Sequence, residues 1–193
     1  ADAVKLLLER WERERQQPGI LDYLNIPNLK MDDLETALYE AAFAAHSAVK
    51  PDQPTADLAE ETLRKIVQNY LGGSWDKAGE FIEFIRERAG LLIRHKNEAY
   101  TFPHRTFQEY LAACYLAGLP NFAEVTSDLI RKDWQRWREV FVLSCGVCRR
   151  SKKLEAAIAL VNKICPVGIH EKESKTHEHY LLARLASEGL YEA

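Results

Sequence analysis

Two groups of residues have the types and spacing to do chemistry. Cys145 and Cys148, with Cys165, His170, His177 and His179 further on, are of the kinds that ligate zinc. A structural zinc site built on cysteines needs a second tight pair, and none follows. Cys145 and Cys148 instead fall on the apolar stretch Phe141-Val142-Leu143-Ser144-Cys145-Gly146-Val147-Cys148, where the expectation is core filling and no metal. His177-Glu178-His179 reads as a solvated helix start, and His46, on an Ala-rich helix, as a satisfied half-buried histidine. The second group is His104-Arg105, directly ahead of Thr106-Phe107-Gln108-Glu109. Those four residues fit the S/T-x-x-E capping box, with the Thr106 hydroxyl on the N3 amide and Glu109 reaching back to the N-cap amide. With Thr106 as N-cap, His104 sits two residues outside the helix, beside unpaired amides and the positive end of the helix dipole. Phosphate is favoured there, and Arg105 adds charge. Taken alone, His104 also reads as a packing residue at the helix entry.

Other chemistry is missing from the pattern. No G-x-x-x-x-G-K-[ST] loop is present to cradle phosphates, and no G-x-S-x-G or H-E-x-x-H pattern occurs. No catalytic residue is therefore assigned. The 193 residues carry 47% apolar and 28% charged side chains and a net charge of -3, ordinary for a folded chain and unlike a general polyanion binder. No apolar run approaches the ~20 residues that span a bilayer. Four cysteines without a framework spacing suit reduced thiols in the cytosol.

The elements that must position these groups are mostly helices, since Gly and Pro are scarce, at 9 and 7 residues. Val4, Leu7, Leu8 and Trp11 trace a first amphipathic helix, followed by a loop through Pro27. The chain thus begins inside or just before a helix, as a fragment of a longer protein would. Met31, Leu34, Leu38, Ala41, Ala45 and Val49 predict a second helix, stopped by Pro51 and Pro54. Leu63, Ile66, Val67, Tyr70 and Leu71 predict a third, ended by Gly72-Gly73. Ser74 caps a fourth, with Ala78, Phe81, Ile82, Ile85 and Ala89 inward and Gly90 closing it. Residues 91–93 and 99–102 then read as two short strands around a polar turn. Helices followed by a β-hairpin are the order of a winged helix. The capped helix after it runs to Gly118. Three further helices follow, at roughly 123–149, 152–164 with Leu154, Ile158 and Val161 inward, and 176–188 capped by Gly189.

Tyr100-Thr101-Phe102-Pro103-His104-Arg105-Thr106-Phe107-Gln108-Glu109-Tyr110-Leu111-Ala112-Ala113 closely resembles the segment that closes the winged-helix domain of NACHT-family STAND NTPases. Leu6–Glu12, Arg88–Leu92 and Trp137–Val140 are similar to that family's template in the same order, so the resemblance spans roughly 4–147. It implies a molecular switch. ADP with magnesium would hold an ATPase module closed against the winged helix, and ATP would open it for homo-oligomerisation. The family's winged-helix histidine approaches the β-phosphate of ADP, and His104 stands at that position of the motif. Innate immune or antiphage defence in the cytoplasm is the implied setting.

The expectation is accordingly a mainly α chain in three parts. Residues 1–27 end a helical domain with its linker, 28–118 form the winged helix with its small β-hairpin wing, and 119–193 form a helical, superhelical-type bundle. The chain itself would be no enzyme and hold no cofactor. ADP or ATP would meet His104 and Arg105 only when the NACHT ATPase module brings it there, that module and further copies of the protein being the expected partners. The alternatives are a stand-alone helical interaction scaffold and, less favoured, a DNA-binding winged helix. The fourth helix sets Asp76, Glu80, Glu83 and Glu87 against Lys77, Arg86 and Arg88, without the basic surplus a groove reader needs. Arg149-Arg150-Ser151-Lys152-Lys153 reads as a solvated loop, and no membrane partner is expected.

Overall fold

A computed structural model of the chain describes residues 8, 18–48, 57–95, 98–165 and 177–192, with side chains at all of these except 177–180 and 192. The elements are α1 (Ile20–Leu24), α2 (Met31–Ala48), β1 (Leu58–Ala59), α3 (Glu60–Gln68), α4 (Trp75–Glu87), β2 (Ile93–Arg94), β3 (Ala99–Thr101), α5 (Arg105–Gly118), α6 (Phe122–Lys132), α7 (Trp134–Arg150), α8 (Leu154–Ile164) and α9 (His177–Glu192). By its internal contacts the chain divides into two units, Ala1–Ala112 and Ala113–Ala193. Of the predicted first helix, Leu8 is described and is buried in the core. Val4, Leu7, Trp11, Val49, Pro51, Pro54 and the hairpin tip at 96–97 lie outside the described residues.

The first unit is a winged helix. Leu34, Leu38, Ala41 and Ala45 of α2 are buried, as are Leu63 and Val67 of α3 with Leu71 behind it, and Ala78, Phe81, Ile82 and Ile85 of α4. These are the stripes that the 3.6-residue period predicts. Each Leu, Ile, Val or Phe side chain taken from water contributes about 1.5–3 kcal/mol, and each alanine methyl about 0.8 kcal/mol, so the three helices converge on one core. Ser74 is the N-cap of α4, its Oγ accepting the Lys77 amide at 3.2 Å. Gly90 ends the helix at φ +64, a left-handed turn that a Cβ would strain, while the Leu91 amide donates back to Ile85 O at 3.0 Å.

Two features of this unit depart from the sequence reading. The stretch before Pro27, expected to be loop, holds the short helix α1, whose Ile20 and Leu24 are buried. The wing is a three-stranded antiparallel sheet in the order β1-β3-β2, because Leu58-Ala59 adds a strand opposite Tyr100 and Ala99. A two-residue strand has no period to read, and its pairing is decided across forty residues of chain. The central strand β3 is buried along its length. Its Tyr100 hydroxyl lies 3.5 Å from Glu60 Oε2 of α3 and 3.3 Å from Glu83 Oε1 of α4. Burial, then the two carboxylates, push the phenol up to about 12.

Among the described residues of the second unit, α6 and α9 both pack on α7 and α8. The helix expected over 123–149 is two. Asp133 leaves helical geometry at φ -156, ψ 81 and caps α7, its Oδ1 accepting the Arg136 amide at 3.1 Å. An apolar period continuing through the corner concealed this break. In α8 the inward face is Ala157, Leu160, Val161 and Ile164, while Leu154 and Ile158 are 46% and 41% exposed. That helix is apolar nearly all round, so its own sequence does not choose the face. Gly189 is no cap either. The helix continues to Glu192, and a Cβ at Gly189 would lie 2.6 Å from Phe141 Cζ of α7. Glycine serves there for close helix approach.

Candidate functional site

The site is the passage from β3 into α5. Phe102, buried, leaves the sheet and meets the Phe107 ring edge-on, with centroids 6.5 Å apart at 60°. Phe107 packs on the core, and Leu111, one turn on, is fully buried. These contacts set where the helix begins and which way it points. Thr101 Oγ1 donates to Phe102 O at 2.9 Å, a buried bond at the strand end.

The helix starts two residues earlier than the capping box requires. The His104 carbonyl accepts the Gln108 amide at 3.1 Å, the first i to i+4 bond of α5. His104 is thus itself at the N-cap position, and Thr106 lies inside the first turn, exposed. The capping box is not formed. Glu109 lies two residues past the position from which a side chain reaches back to the N-cap amide and instead accepts from Arg105 Nε at 2.9 Å. That i,i+4 pair of opposite charges is legible in the sequence as an alternative to the box.

His104 is exposed, with its imidazole outside any hydrogen bond or ion pair among the described residues. The amides of Arg105, Thr106 and Phe107 precede the first helical bond and have no acceptor in the helix. The first turn of α5 carries no acidic side chain. Every other described helix of the first unit begins with one: Asp22 in α1, Asp32 and Asp33 in α2, Glu60 and Glu61 in α3, Asp76 in α4. The positive end of α5 therefore faces outward between a histidine and an arginine, with no anion of its own. The two predicted site residues are adjacent there, and the arginine is already tied to Glu109.

Of the other candidate groups, Cys145, Cys148 and His46 have packing roles. Cys145 and Cys148 are buried in α7, and burial pushes the Cys148 thiol up. Among the described residues, no three His, Cys, Asp or Glu side chains gather as a metal would need. His170 lies outside the described residues; His177 and His179 start α9. His46 is buried in α2. Lys153 of the basic turn donates to Ala117 O, at the end of α5, at 3.4 Å. On α4, Lys77 pairs with Glu80 and Arg86 with Glu83 and Glu87. Arg88 lies over the Tyr23 and Phe84 rings at 4.9 and 5.1 Å. No described helix is long and apolar enough to cross a membrane.

Comparison with known proteins bears on what this arrangement serves. The family model described as the winged helix-turn-helix domain C-terminal to NACHT matches residues 1–116. No curated protein and no solved structure matches the chain. The matched stretch contains the whole first unit, from the buried Leu8 through the wing to the opening turns of α5. On this match, covering more than half of its length, the chain belongs to the family of winged helix-turn-helix domains that lie C-terminal to NACHT.

Proposed function

We propose that this region couples the nucleotide state of a NACHT ATPase module to opening and self-association of the protein that carries it. The chain does not itself hydrolyse nucleotide. It supplies a docking face for ADP bound, with magnesium, by the P-loop of that module, and releases the face when ATP replaces ADP. His104 contacts the terminal phosphate of ADP, assisted by the α5 amides and Arg105. Signalling of an innate immune or antiphage kind in the cytoplasm suits such a switch.

The observation that carries this reading is the start of α5 in a NACHT-associated winged helix: an exposed N-cap histidine, three amides without helical acceptors and no acid in the first turn. The engaged cations of α4 weigh against the DNA-binding alternative. The stand-alone scaffold differs in its gene, which would encode no G-x-x-x-x-G-K-[ST] loop upstream of Ala1.

The test is the ADP content of the full-length protein after purification, with and without His104→Ala. Loss of one charge-assisted hydrogen bond, worth about 1.5–3 kcal/mol, should speed ADP loss about ten-fold or more. Self-association without added ATP should rise in step. Unchanged retention would remove His104 from the switch.

A further inference from the structure

The pair at the start of α5 has a property that the resemblance does not supply. The Glu109 side chain is 7% exposed and the Arg105 side chain 56%. The carboxylate is therefore almost wholly withdrawn from water, and it accepts from Arg105 Nε at 2.9 Å. A withdrawn carboxylate that loses its cation is left charged and uncompensated, which is strongly unfavourable. Arg105 is thus held on Glu109 whether or not an anion is nearby. The bond uses Nε, and no described residue engages the two Nη groups, which form the edge that grips phosphate in bidentate fashion.

We propose that Glu109 is a positioning residue for the phosphate site: it pins Arg105 by Nε so that the free Nη edge stands ready beside His104 and the α5 amides. This rests on the nucleotide reading above. Two opposed effects make the sign of the test decisive. A carboxylate near the site repels phosphate, so its removal should tighten binding if charge alone matters. A pinned guanidinium surrenders little freedom on binding, so its release should weaken binding if positioning dominates. Pairing with Arg105 cancels most of the Glu109 charge at a distance, which favours positioning.

The experiment measures ADP dissociation from the full-length protein carrying Glu109→Gln, Arg105→Ala and both changes, with His104→Ala alongside. Positioning predicts that Glu109→Gln speeds ADP loss about three- to ten-fold, the cost of immobilising one long side chain anew. It also predicts no further effect of Glu109→Gln once Arg105 is alanine. Slower ADP loss in Glu109→Gln would overturn the proposal, as would effects that multiply in the double variant, since Glu109 would then act apart from Arg105. If Glu109→Gln fails to fold, Glu109→Asp, which keeps the charge but shortens the reach, carries the same expectation. If His104→Ala speeds ADP loss as proposed while Arg105→Ala leaves it unchanged, this inference alone falls. If neither changes it, the nucleotide reading falls with it.

Discussion

Replacing Gly189 by alanine sets two known quantities against each other. In a helix interior the change is ordinarily favourable by about 1 kcal/mol, because glycine has more backbone freedom to lose. Here the new methyl would stand 2.6 Å from Phe141 Cζ, 2.8 Å from Cε1 and 3.2 Å from Cys145 Sγ, against 3.4–4 Å for ordinary contact. Phe141 and Cys145 are fully buried, so the ring has nowhere free to tilt. Overpacking of this kind costs about 1–3 kcal/mol and should outweigh the propensity gain, leaving a net loss of about 1 kcal/mol or more. Gly118, in the last turn of α5, is the control: a Cβ there meets nothing within 4 Å, and its φ is not left-handed. Gly118→Ala should therefore stabilise, by up to about 1 kcal/mol. Calorimetric melting of the two variants should move in opposite directions, by about 2–4 °C per kcal/mol for a chain of this size. Phe141→Leu should cost less in the Gly189→Ala background than alone, since the methyl occupies vacated space. If Gly189→Ala melts higher than the parent, as Gly118→Ala should, the close approach of α9 to α7 is wrong.

The wing makes a pH-dependent prediction. The Tyr100 phenol is raised from 10.0 to about 12 by burial and its two carboxylates, so its contribution is complete below pH 10 and is lost as pH rises towards 12. Between pH 8 and pH 11 the parent should lose about 1.4 kcal/mol that Tyr100→Phe does not lose, and denaturant curves at the two pH values measure the difference. A constant gap would mean that the phenol titrates normally. Asp133→Ala removes the cap that separates α6 from α7 and should cost about 1 kcal/mol in thermal or denaturant melts; no loss would mean that the cap carries nothing. On α8, Leu160→Ala should cost about 2–5 kcal/mol, whereas Leu154→Ala, at an exposed position, should stay within about 0.5 kcal/mol. The reverse ranking would place the other face inward.

The parts of the fold that could be read in advance were those with a strong local pattern. Helices α2, α3 and α4 each carry their apolar residues on one stripe, and most of those described are buried. Ser74 and Gly90 stand at helix ends whose geometry only their residue types favour. At the site, a basic dipeptide before a helix start is visible in the sequence, but the residue at which the helix begins is not. The capping box at Thr106 and the i,i+4 pair of Arg105 with Glu109 are both local rules, and the helix starts they accompany differ by two residues. Each is worth about 1 kcal/mol or less. Packing of Phe102, Phe107 and Leu111 involves more free energy than either, and it selects the second.

The sequence by itself determined the helical class, the wing and the nearness of His104 and Arg105 to a helix start, because those follow from period, composition and chain order. The tertiary structure alone decided four things. These are the pairing of Leu58 with Tyr100, the inward face of α8, the role of Gly189, and the transfer of Glu109 from helix cap to arginine partner. In each case two local solutions lie within about 1 kcal/mol of each other. Contacts between residues far apart in the chain, worth several times that, make the choice.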